Sequence, residues 1–184
     1  VEIWWRKEPL SASEESLLKA LFKAHRQSSF RENISSLTVA HTMAGSRDIG
    51  KAIAAGILTL GGPHAPLADT YRFLNLPNPA DHVESILKYG VKIPGWGGSF
   101  QKKGIDPLWS GVDSILREDH LHLAKIMDDV TAELHRLDKH IYPNPSAFTV
   151  TSCIALKVPA PLLTYIFISA RLDAWAQIAL AEFK

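Results

Sequence analysis

The chain has 184 residues, 46% of them hydrophobic and 21% charged, with 20 basic against 19 acidic side chains and a formal net charge of +1. That is one globular domain, or two small lobes, able to bury roughly two thirds of the surface an unfolded chain exposes. The near-balanced charge gives no basic field for nucleic acid or an anionic membrane surface, so neither is expected as a partner.

The single cysteine, Cys153, excludes an internal disulfide and a multi-cysteine zinc site. The longest apolar candidate for a span, Val158 to Ala170, falls short of the ~20 residues a membrane helix needs, and it opens with Pro159 and Pro161. The start, Val1-Glu2-Ile3-Trp4-Trp5-Arg6-Lys7, lacks the basic-then-apolar order of a signal peptide. A soluble, cytoplasmic protein is expected.

In chain order, Glu2 to Trp5 is the only hint of a strand. Ser11-Ala12-Ser13-Glu14 reads as a capping box, behind which Leu17, Leu18, Leu21, Phe22 and His25 recur at three- and four-residue steps. Polar Gln27-Ser28-Ser29 breaks that stripe. A second helix is predicted from about Asp48 to Leu60, presenting small residues Ala52, Ala55 and Gly56 and ending at Gly61-Gly62-Pro63. Pro66 opens a third through Tyr71 to Leu74, stopped by Pro77 and Pro79. A short helix near Asp81 to Tyr89 leads into the glycine-rich loop Val91 to Pro107, which surrounds Trp96 and Phe100. The longest helix is predicted over roughly Asp113 to Asp138, where Leu116, Leu123, Val130 and Leu137 repeat every seven residues. Helices about Phe148 to Lys157 and Pro161 to Phe183 finish the chain, the second with proline in its first turn. The class is all-α.

Eight histidines invite a metal, but the pairs do not converge. His120 and His122 diverge by about 200° on a helix, His135 and His140 are offset by five positions, and no H-E-x-x-H spacing occurs. No metal is expected. Gly111 and Ser114 do not make a G-x-S-x-G elbow, and Gly95-x-Gly97 lacks the third glycine of a dinucleotide loop.

Three segments are more specific. They are Ala52 through Gly61-Gly62-Pro63-His64; Ile93-Pro94-Gly95-Trp96-Gly97-Gly98 with Asp106-Pro107; and Tyr142-Pro143-Asn144 continuing to Arg171 and Trp175. In that order and spacing they resemble the citrate synthase family. There a small-residue helix ends in a G-P-x-H-G turn, a P-G-x-G-H loop runs on to D-P-R, and Y-P-N-V-D-F opens a helix pair ending in an R-x-x-G-W element. The resemblance covers roughly Val39 to Glu182. It implies an all-α fold with a partial large domain and a small domain and, as is usual in that family, a homodimer. Residues 1–65 would supply the N-terminal large-domain helices, including a dimer-interface helix. Residues 66–145 would supply small-domain helices and the glycine loop, and 146–184 the C-terminal helix pair. The alternative for the small-residue helix is packing within one chain.

Family enzymes make or break carbon–carbon bonds beside a CoA thioester, which takes a base, a donor to the enol oxygen and a second donor to the keto acid. By resemblance His64 stands at the enol-donor position, in a turn one residue short with Ala65-Pro66 in place of glycines. Gly98 stands at the second histidine, Ser146 at the base aspartate and Leu108 at the arginine of D-P-R. Arg171 matches the later carboxylate-binding arginine, and His25 and His41 are both candidates for the further substrate histidine. The CoA side is implied at Pro94, Gly95, Trp96 and Gly97, with Lys102 and Lys103 following; Trp96 either stacks on adenine or fills the core, and the lysine pair is otherwise a solvated loop.

Losing a general base costs about 10² to 10⁴ in rate and losing an electrophilic donor about 10² to 10³. The expectation is therefore a degenerate family member that binds CoA or acetyl-CoA without standard condensation, acting on acyl-CoA metabolism or on another acyl-CoA-using enzyme. One alternative is a working lyase or synthase whose acid or base has moved to Asp69, Asp106 or His41. The other is a non-catalytic dimeric interaction protein, of a kind a virus could encode.

Overall fold

The computed structural model describes residues 5–30, 33–61, 64–98 and 104–183. Nine α-helices lie among them: α1 (Ala12–Ser29), α2 (Ile34–Ser46), α3 (Ile49–Leu58), α4 (Leu67–Leu74), α5 (Val83–Lys88), α6 (Ser110–Asp119), α7 (Leu121–Arg136), α8 (Pro145–Ala155) and α9 (Leu163–Ala181). Short 3-10 turns precede α5, α6 and α9. The all-α class expected from the sequence is the one found; the described residues carry no named strand, only the isolated bridges Gly61–His64 and Trp96–Pro143. Most of the Glu2–Trp5 strand hint lies outside the described residues. None of their helices is long and apolar enough to cross a membrane.

The capping box forms as read: Glu14 N donates to Ser11 Oγ, and Ser11 N donates to Glu14 Oε2 at 2.8 Å. Gln27-Ser28-Ser29 does not end the helix, however. Ser28 and Ser29 belong to α1 and both return their hydroxyls to the His25 carbonyl at 2.9 Å. Helix α2 has no counterpart in the apolar periodicity of the sequence. Its buried face is Ser35, Ser36, Val39 and Met43, half of it hydroxyls. Those hydroxyls are satisfied inside: Ser36 Oγ donates to Ser29 O at 2.6 Å, and Ser35 Oγ pairs with Thr59 Oγ1 at 2.7 Å.

The long helix expected over Asp113 to Asp138 is two helices, α6 and α7, broken at His120, whose φ of −133° and ψ of 45° are not helical. The seven-residue apolar repeat continues across the break because Leu116, Leu123 and Val130 all face the core. Arg117 spans the bend, bonding Asp113 on α6 and both carboxylate oxygens of Asp128 on α7 at 2.7 and 2.8 Å.

The main core joins Leu17 and Leu21 of α1 to Trp109, Leu116, Met127, Phe148 and Leu163. A second cluster, Val39, Met43, Ala52, Trp175 and Ala179, ties α2 and α3 to the end of α9. Two of the small residues of α3 pack against that cluster: Ala52 is fully buried, and a Cβ at Gly56 would stand 2.6 Å from Val39 Cγ2. On α9 the buried residues Leu163, Ile166, Phe167, Ala170, Arg171, Ala174 and Trp175 follow the three–four spacing of one stripe. Arg171 is the charged member of that stripe.

Candidate ligand-binding cleft

Several chain segments converge on a cleft of about 230 Å3. The α1–α2 junction supplies Ser28 and Asn33, the turn after α3 supplies His64, and the glycine loop supplies Gly97 and Gly98. Asp106, Ser146 and Arg171 line it from the turn before α6, the start of α8 and the middle of α9, with Leu60, Trp109 and Phe167 as apolar wall.

Hydrogen bonding explains how the glycine loop reaches the cleft. Gly97 N donates to Tyr142 O, and Asn144 N donates to Gly95 O, both at 2.9 Å. The Asn144 side chain joins the two walls. Its Oδ1 accepts from Ser146 N at 2.8 Å, capping α8, while its Nδ2 donates to Gly97 O at 2.9 Å. That cap with Pro145 in the first turn starts α8 earlier than Phe148, and it sets Ser146, only 4% exposed, at the helix N-terminus facing the cleft. Gly95 packs so tightly that a Cβ would lie 2.8 Å from Thr70 Cγ2.

Trp96 is buried, donates its indole N–H to Thr131 Oγ1 at 3.0 Å and meets the Phe73 ring edge-on at 5.8 Å. Its ring fills the core and is not presented for stacking on a base. Of the glycine loop, Gly97 and Gly98 line the cleft, whereas Pro94 and Gly95 are not part of its lining. Lys102 and Lys103 lie outside the described residues.

His64 is exposed at the cleft mouth, in a turn closed by Gly61 N to His64 O at 2.6 Å and His64 N to Gly61 O at 3.0 Å. Ala65 follows with φ +59°, the left-handed backbone that a glycine would adopt freely. Of the residues considered as a moved acid or base, Asp106 lines the cleft, 5% exposed, with one carboxylate oxygen accepting from Leu108 N at 3.1 Å. Asp69 pairs with Arg72 on the surface, and His41 is exposed on α2; neither is part of the cleft lining.

Arg171 is 6% exposed. Among the described residues no carboxylate pairs with it; its guanidinium carbon sits 4.2 Å over the Phe167 ring, and its Nε donates to His25 Nδ1 at 3.3 Å. Burial lowers its pKa to about 10, which still leaves it protonated at neutral pH. His25 is fully buried behind it, Nε2 at 2.8 Å from Thr149 Oγ1, with Trp109 and Phe167 edge-on at 4.9 and 4.7 Å. Burial first, and the neighbouring Arg171 charge second, hold its pKa well below the ordinary 6.5. A buried cation over an aromatic face, open on one side to a cleft at a helix N-terminus, is suited to an anionic ligand. Among the described residues no group of His, Cys, Asp and Glu could hold a metal ion.

The all-helical fold is shared with several solved structures. Citryl-CoA lyase from Hydrogenobacter thermophilus superposes with a TM-score of 0.78 at 21% identity, over 96% of this chain and 72% of that one. Citrate synthase from Thermotoga maritima MSB8 gives 0.75 at 20% identity over 94% of this chain, which spans 50% of that enzyme. ATP citrate lyase from Methanothrix soehngenii, solved in complex with citrate and coenzyme A, gives 0.79 at 16% identity over 97% of this chain and 32% of that one. Identities this low establish the fold. No curated protein matches the sequence. The family model for the citrate synthase C-terminal domain matches residues 3–181, so the chain belongs to the citrate synthase family.

Proposed function

We propose that this cleft binds a CoA thioester together with a small carboxylic acid, and that the chain acts on acyl-CoA metabolism or on a partner enzyme without carrying out standard citrate synthesis. The observation that carries this reading is Arg171, a buried cation lining the cleft with no carboxylate partner among the described residues. Ser146, where the family resemblance calls for an aspartate base, supplies a hydroxyl that takes no proton near neutral pH, and Gly98 supplies no side chain at all. The acid would be held by the guanidinium and the thioester would pass along the glycine loop.

Titration calorimetry with acetyl-CoA, CoA and citrate tests it. Heat with acetyl-CoA or CoA, and citrate binding weakened at least tenfold by Arg171→Gln, is the expected outcome; no heat and no thermal shift with any of the three removes the proposal.

A second reading draws on Asp106, which brings a carboxylate into the same cleft as His64. There Asp106 acts as a moved base and His64 as the enol donor, and the chain retains lyase or synthase chemistry. Exchange of acetyl-CoA methyl protons into heavy water, abolished by Asp106→Asn, supports it; exchange at the buffer rate ends it.

The homodimer belongs to the same proposal. Leu37 of α2, Leu58 just at the end of α3, and Leu172 and Leu180 of α9 are exposed, and covering them would bury the apolar side chains the monomer leaves in water. Light scattering of the purified protein distinguishes a dimer mass from a monomer mass.

A further inference from the structure

The chain Arg171–His25–Thr149–Pro145 admits one direction of hydrogen bonding. A guanidinium only donates, so His25 Nδ1, 3.3 Å from Arg171 Nε, is an acceptor and carries no proton. The neutral ring then has its proton on Nε2, which donates to Thr149 Oγ1 at 2.8 Å. Thr149 can accept there because its own hydroxyl proton goes to Pro145 O at 2.6 Å. Pro145 is the first residue of α8, beside Ser146 and the cleft. His25 itself is fully buried under Trp109 and Phe167 and is not part of the cleft lining.

We propose that His25 is a positioning residue: as the Nε2–H tautomer, locked by Thr149, it holds Arg171 Nε and so fixes the rotation of the guanidinium, turning its remaining N–H groups to a carboxylate in the cleft. This rests on the carboxylic-acid half of the proposed function and assigns His25 and Thr149 to it, although neither touches the ligand. Without the acceptor, the guanidinium rotates about its stem over Phe167 and the fork that binds a carboxylate bidentately is no longer held in one orientation. Thr149→Val keeps the volume and the imidazole but removes the acceptor of the Nε2 proton. The ring then moves its proton to Nδ1, where it opposes Arg171 Nε–H.

Two measurements decide it. Nitrogen-15 spectra of the unliganded protein should show His25 as the neutral Nε2–H tautomer from pH 6 to pH 8, and Thr149→Val should change it. An Nδ1–H tautomer or a protonated ring at pH 6 in the wild type overturns the proposal, whatever ligand the cleft takes.

The second is a double-mutant cycle read by citrate binding. Thr149→Val should weaken citrate about tenfold, Thr149→Ser should restore it, and Thr149→Val should add nothing once Arg171→Gln is present. Fully additive losses mean that Thr149 acts by general destabilisation and sink the positioning role. If the wild type binds no citrate, the carboxylic-acid reading fails, while the tautomer spectrum still decides whether the lock exists.

Discussion

Ala65 holds φ at +59° in the turn that carries His64, a conformation that costs an L-residue about 1–2 kcal/mol. The turn is pinned on either side, by the Gly61–His64 pair and by Leu67 N donating to Ala65 O at 2.8 Å, so the strain is retained and not relaxed. Replacing Ala65 by glycine removes that cost and adds back part of it as unfolded-chain entropy. The expected net gain is about 0.5–1 kcal/mol, measured as a higher urea midpoint at unchanged slope. Arg171 and His25 are the other residues of interest at this scale. Each occupies a position in a buried stripe where the three–four spacing calls for an apolar side chain. A polar residue at such a position is visible in the sequence; what it bonds to is not, since His25 and Arg171 are 146 positions apart.

Among the elements, the glycine loop and the Tyr142–Asn144 segment act as one unit, sewn by backbone bonds and by the Asn144 side chain. Its two inner glycines make different demands. At Gly95, φ is +86° and a Cβ would also press Thr70 Cγ2 at 2.8 Å and Ala147 Cβ at 3.2 Å, so Gly95→Ala should destabilise by about 2–4 kcal/mol, strain and overpacking together. At Gly97, φ is +81° but the nearest atom, on Ile141, is 3.8 Å away, and Gly97→Ala should cost only about 1–2 kcal/mol. Denaturant unfolding of the two variants side by side checks the ranking; equal losses would mean that the close approach at Gly95 is not present. The same scale explains the helices that periodicity misplaced. α2 was hidden because hydroxyls replace methyls on its inner face. The α6–α7 bend was hidden because the apolar repeat runs straight through it, while the Arg117 bonds that hold the two helices together come from residues 11 apart.

For the whole molecule, the buried His25 links stability to pH. Its folded pKa lies well below 6.5, so as pH falls through 6.5 the unfolded chain takes up a proton that the folded chain does not. Stability from this group is therefore complete above that value and is lost as pH drops below it, by about 1.4 kcal/mol per pH unit. Between pH 7.5 and pH 5.5 the wild type should lose about 1.4 kcal/mol more than His25→Asn, the other histidines cancelling in the comparison. Equal losses would place His25 in contact with water. Arg171, Thr149, Trp109 and Phe167 surround the ring from α9, α8 and the turn before α6, so three segments must stay docked for the group to remain neutral.

By itself, the sequence determined the helical class, the capping box, the order of the three glycine- and proline-marked segments and the family they point to, because each rests on local spacing or on side-chain type. It also marked His64, Ser146, Gly98 and Arg171 as the positions to inspect. Only the tertiary structure decided which of these share a cleft, that Trp96 turns into the core, that His41 stays outside while Asp106 comes in, and that Arg171 rests on His25. Those outcomes depend on packing between segments far apart in the chain, and neither periodicity nor motif spacing carries information about which distant partner a buried polar group will find.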